Sequence, residues 1–174
     1  MPRQNPLGSL IDIVGAFRPV DLQTGANNGD YVSMKNYAGI LVVFHSAIGT
    51  AGDDPTLNID QATDNAGAGS KDLSVSGSAR KVFKKQAATD LLSTGVWSLA
   101  DTDISGGNWT NATSAEEEAL VAIWIDASDL DVANGFDFIR ATVADVGTNA
   151  QLGACYYIGL VSYPNDPRNV LSPL

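Results

Sequence analysis

The sequence predicts an all-β protein, an antiparallel β-sandwich or jelly roll. Two observations predict it. Short apolar runs of strand type recur at close spacing, separated by turns rich in Gly, Asn and Asp. No segment sustains a helical repeat over three or more turns. At 174 residues the chain fits one domain with arms, and that length builds a core without staples. The expected division is an N-terminal arm over 1–16, a sandwich over 17–163 and a C-terminal arm over 164–174.

In the first segment Pro2, Asn5, Pro6, Gly8 and Gly15 discourage regular structure. Leu10, Ile11, Ile13 and Val14 nevertheless call for burial. Two readings stand side by side: an edge strand of the same domain, or an arm that docks on a neighbour. Residues 17–22 read as extended, with Pro19 suited to a sheet edge. Residues 25–30, Gly-Ala-Asn-Asn-Gly-Asp, form a turn by composition. A short strand is expected at 31–34, and a long one at 38–48, where Val42 and Val43 favour extension. After a loop at 49–55, residues 56–62 alternate. Leu57 and Ile59 lie on one face, Asn58 and Asp60 on the other.

A Gly/Ala/Asn loop over 64–70 precedes strands at 71–75 and 80–87. A helical turn is expected at 89–93 and a long polar loop at 100–115. Residues 119–126 form a strand, 128–134 a connector with one helical turn, and Asn134-Gly135 a positive-φ turn before a strand at 136–143. A loop over 145–151 leads to the last long strand, 152–163. Pro164, Pro167 and Pro173 mark the C-terminal arm.

Two of these strands are apolar on both faces. Ala119, Val121, Ile123 and Ile125 oppose Leu120, Ala122 and Trp124. Leu152, Ala154, Tyr156, Ile158 and Leu160 oppose Cys155, Tyr157, Val161 and Tyr163. A strand in a two-layer sandwich needs one apolar face. The second must meet a covering loop or another subunit.

The chemical inventory is thin. Twenty acidic residues against ten basic give a net charge of -10, which repels nucleic acid and anionic membranes. No apolar run approaches the roughly 18 residues of a membrane span, and no signal peptide is expected. The single histidine, His45, lacks the companions of a metal site or a triad, and reads as a satisfied or surface residue. The single cysteine, Cys155, lies in an apolar strand and reads as buried and structural. It cannot form an internal disulfide. Ser78 and Lys81 match S-x-x-K, but strand spacing puts them on opposite faces. No phosphate cradle or nucleophile elbow is present.

Acidic groups at Asp53-Asp54, Asp101/Asp103, Glu116–Glu118 and Asp129/Asp131 read as solvated turns and strand ends. A glycosidase pair or a calcium loop is the competing reading. Arg80, Lys81, Lys84 and Lys85 are four of the ten basic residues, and form either a guarded edge strand or a contact for an acidic neighbour. Trp109, in the loop 105–112, is the expected exposed platform for a sugar, and Trp124 is expected in the core. No cofactor and no reaction are expected.

Two stretches carry a resemblance. One is Thr50-Ala51-Gly52-Asp53-Asp54-Pro55-Thr56-Leu57 with Gln61-Ala62-Thr63-Asp64. The other runs from Asn111-Ala112-Thr113-Ser114-Ala115-Glu116 through Ile125-Asp126-Ala127, Asp129-Leu130-Asp131 and Asn134-Gly135-Phe136-Asp137 to Asp145-Val146-Gly147-Thr148-Asn149-Ala150-Gln151-Leu152-Gly153. The chain resembles small virion structural proteins of tailed bacteriophages, most of all the capsid cement, or head decoration, proteins. That likeness is one of whole segments and carries no catalytic motif. It implies a non-enzymatic, β-rich homotrimer on the outer surface of a phage head, assembled in the host cytoplasm. Its partners would be the major capsid protein and copies of itself. A tail component and a carbohydrate-binding module using Trp109 are the alternatives.

Overall fold

The computed structural model describes Leu7 and residues 10–74, 82–87, 96–101, 104, 106–112 and 117–162. The protein is an antiparallel sandwich of two sheets. Sheet A has six strands in the order β1 (Ile11–Asp21), β12 (Leu152–Val161), β4 (Tyr37–Ser46), β10 (Glu118–Asp126), β7 (Val82–Ala87) and β8 (Ser98–Asp101). Sheet B is built on β11 (Phe138–Val143) and β5 (Thr56–Ala62). Two short strands, β2 (Asn27–Asn28) and β3 (Val32–Ser33), share the free side of β11. Two more, β6 (Lys71–Asp72) and β9 (Asn108–Thr110), share the free side of β5. Short 3-10 turns follow β1 and join β10 to β11. The second of the two joining turns closes on Gly135 at φ 83°, a left-handed conformation that glycine adopts without a Cβ clash.

Strand alternation builds the core. From sheet A, Ile40, Val42, Phe44, Val121, Ile123 and Ile125 point inward and are buried. From sheet B, Leu57, Ile59, Ile139, Ala141 and Val143 meet them. Tyr157 ties the two sheets together. Its hydroxyl accepts the Ala141 amide at 2.7 Å and donates to the Asp30 carbonyl at 3.2 Å. Gly29 makes room for this: a Cβ there would lie 2.7 Å from the Ala141 carbonyl oxygen and 3.0 Å from the Tyr157 hydroxyl. Within sheet A, the Tyr37 ring crosses β12 where Gly159 has no side chain, and its hydroxyl donates to Asp12 Oδ2 on β1 at 2.9 Å.

Burial pushes three acidic protons upward. The Cys155 thiol is pushed up to about 12. The Tyr157 and Tyr37 phenols are raised by burial first, and Tyr37 further by the Asp12 bond and charge. Each group keeps its proton in the folded chain at a pH where the unfolded chain releases it. Their contribution is therefore complete below about pH 9, near the ordinary thiol value, and is lost as pH rises above it. Denaturant titrations should show level stability from pH 7 to about 8.5 and a fall from pH 9 upward. A level profile to pH 11 would contradict these burial assignments.

The observed strands refine the expected ones. Strand β5 has the expected bounds. Residues 11–16, grouped with the N-terminal arm, form the first half of β1 and pair along β12, so the boundary drawn after residue 16 falls inside a strand. The arm 164–174 lies outside the described residues, as do Ser78 and the turn expected at 89–93. The stretch 100–115 is not a continuous polar loop, because it contains the end of β8 and all of β9. Strand β7 is not an edge: β10 flanks it on one side and β8 on the other.

Candidate interaction surface

The outer faces of the two sheets differ in kind. On sheet B the outward residues of β5 and β11 are mostly polar, with Phe138 and Ala62 at one end. Arg140 and Asp60 are cross-strand partners, with Nη2 to Oδ2 at 2.6 Å, and Asn58 donates to the other Asp60 oxygen at 2.8 Å. The Arg140 guanidinium also lies over the Tyr31 ring. Lys71 donates to Asp131 at 2.6 Å, and that bond, with a second from Asn134, holds the Asp131 carboxyl below its ordinary range.

On sheet A the middle of the outer face is apolar in level rows, with His45, Glu118 and Lys85 toward one end of the strands and Asp126 toward the other. One row runs Ile13, Ile158, Leu41 and Trp124 across four strands. The next runs Gly15, Tyr156, Val43, Ala122, Phe83 and Leu99 across all six. Ile13 (53%), Leu99 (51%), Phe83 (41%) and Tyr156 (39%) are exposed. At strand spacings of ~4.8 Å and ~3.4 Å per residue, the face measures roughly 24 by 27 Å, about 650 Å².

Glycine shapes this face too. Trp124 lies flat across Gly39, and its indole N–H donates to Asp126 Oδ1 at 3.0 Å. A Cβ at 39 would overlap the indole ring and lie 2.8 Å from the Ile125 carbonyl oxygen. Gly39→Ala should therefore lift the indole off the sheet and cost about 1–3 kcal/mol. The check is a shift in tryptophan emission together with a lower denaturation midpoint. An unchanged emission spectrum and midpoint would contradict the packing.

At the β1 margin the face dips into a groove of about 270 Å³, lined by Pro19, His45, Ala47, Leu152, Ala154 and Tyr156. His45 Nε2 sits 2.7 Å from Glu118 Oε1, so the lone histidine has one carboxylate partner on this face. At the opposite margin, beside β8, Val96 and Trp97 are exposed at 78% and 49%.

The residues singled out from sequence fall into several places. Leu10 is exposed just before β1, Ile13 points outward from it, Ile11 is half-buried and Val14 packs against the core. Lys84 lies on the inward side of β7 and donates to Asn111 Oδ1 at 3.0 Å; burial lowers its pKa, against the pull of Glu117. Lys85 is half-buried on the outer face beside Leu120. Arg80 and Lys81 lie outside the described residues. Cys155 is fully buried.

Trp109 is not the exposed platform expected of it. Paired with Leu57 across β9 and β5, it is buried to 9%. Trp124 is half-buried on the outer face, not in the core between the sheets. The exposed tryptophan is Trp97, and its place beside β8 had no periodic signal in the surrounding sequence.

Of the acidic clusters, Asp53 accepts from Asn149 at 2.9 Å, and Asp131 is held by Lys71 and Asn134. Among the described residues, no group of three or more His, Cys, Asp or Glu is placed to hold a metal ion. No helix among them is long and apolar enough to cross a membrane. No protein-family model, curated protein or solved structure matches the chain.

Proposed function

We propose that this chain is a non-enzymatic virion structural protein that decorates and stabilises a phage head as a cement protein. The observation that carries the reading is the pair of apolar rows across the outer face of sheet A, on a sandwich whose other outer face is mostly polar. Such a face is favoured only when another protein covers it. The chemistry of two described residues fits this reading: the one thiol is buried and protonated, and the one imidazole is engaged by a carboxylate. The segment resemblance to phage virion proteins supplies the setting, with the major capsid protein and copies of this chain as partners. A cement protein works by binding the expanded shell in many copies, so modest contacts add up and the assembled form is favoured.

The test is binding to expanded, emptied heads built from the major capsid protein of the genome that carries this gene. Saturable binding and a higher head disruption temperature are expected. Absence of binding, with annular assemblies of the purified protein by electron microscopy, would overturn the head reading in favour of a tail component.

A further inference from the structure

We infer that the outer face of sheet A is covered by the same face of a second copy, related by a two-fold axis running parallel to the strands. The inference deepens the reading of this face as a contact surface, but it does not require a phage head.

The arrangement of large and small residues points to it. The β8 margin carries large exposed side chains: Phe83, Trp97 and Leu99. At the β1 margin the row that holds Phe83 and Leu99 ends in Gly15, and Ala47 and Ala154 line the groove of about 270 Å³, between the larger Ile13 and Leu152. A Cβ placed on Gly15 meets nothing within 4 Å. The rows are level across the sheet, so a two-fold axis between β4 and β10 reverses the strand order and keeps each row in line.

That operation sets Leu99 over the open space at Gly15, Phe83 against the Tyr156 ring, and Ala122 against Val43. It also brings Trp97 to the groove. Every one of these contacts occurs twice, as an isologous interface requires. Sheets pack face to face in this way at ~10 Å in sandwich cores. The face of about 650 Å² per copy approaches the ~800 Å² of a standard interface.

Charge opposes this pairing at long range, so apolar contact must hold it. Two copies each carry a net charge of -10 and repel at long range. Salt screens that repulsion, so added salt should tighten this pair, whereas it weakens attachment to a basic partner.

The test is sedimentation of the purified chain with two outer-face variants, Phe83→Glu and Tyr156→Glu, and a distant control, Ala133→Glu. The wild type and the control should sediment at twice the 18.2 kDa chain mass. Both face variants should dissociate at least ~30-fold more readily, because each buries a charge in the contact. Their circular dichroism should stay native, since both side chains are exposed within one chain.

A short bismaleimide should then join Phe83→Cys chains to Tyr156→Cys chains in a mixture more than it joins either alone. The natural Cys155 is buried and does not compete. A monomeric wild type overturns the inference, as does the three-chain mass that the cement-protein resemblance implies, or face variants that remain paired. Head binding is measured separately, so loss of pairing and loss of the phage reading are distinguishable.

Discussion

Tyr157→Ala should destabilise the chain by about 3–5 kcal/mol, within the range for emptying a buried aromatic site. Tyr157→Phe should recover most of that and leave a deficit of about 1–3 kcal/mol, the cost of an orphaned buried amide. The reason is geometric. The ring belongs to β12 of sheet A, while its hydroxyl takes the amide of Ala141 on β11 of sheet B. Removing the hydroxyl leaves that amide without this acceptor in a site closed by Gly29. Chemical denaturation of both variants checks the ordering. A Tyr157→Phe variant as stable as the wild type would show that the two sheets are held by apolar contact alone.

One residue earlier, a substitution should act on a different property. Tyr156 points away from the core, at 39% exposure against 1% for Tyr157. Tyr156→Glu should shift the stability of a single chain by no more than ~0.5 kcal/mol, as for an ordinary surface site. Its large effect falls on association. A carboxylate introduced opposite Phe83 of a second copy must be desolvated without a partner, which costs several kcal/mol in an apolar contact. Phe83→Glu should behave alike from the opposite margin. Measuring unfolding and sedimentation on the same samples separates the two roles. Tyr156→Glu unfolding as readily as Tyr157→Ala would place Tyr156 in the fold, not in a contact.

The strands most legible in the sequence were those whose alternation is strong and local. In residues 56–62 apolar and polar positions alternate without a break, and β5 has those bounds. In 119–126 and 152–163 the second apolar face was visible as an excess over what a sandwich needs, and these segments contain most of β10 and all of β12, both interior strands of sheet A. The Asn134-Gly135 turn was legible because a positive φ demands a particular residue.

What sequence reading missed depends on partners far along the chain. Strand β9 is three residues long and apolar only at Trp109. Its pairing with β5, some fifty residues earlier, is what buries that indole. Strand β8 is exposed along its whole length and gives no periodic signal, yet its pairing turns the basic β7 from an edge into an interior strand. The contact face was half legible. Both apolar faces of the strands holding Tyr156, Leu160 and Trp124 were visible, but not which one faces outward, and Trp124 was expected in the core; Leu99 and Trp97 join this face only once β8 is placed.

Hydroxyl-radical footprinting across a protein concentration series tests the central claim most directly: that the outer face of sheet A is a protein contact. Oxidation of Tyr156, Phe83, Trp97 and Leu160 should fall together as concentration rises, while the buried Tyr157 stays protected throughout. Equal oxidation of the four outer residues at every concentration, and equally in the presence of heads, would contradict the account.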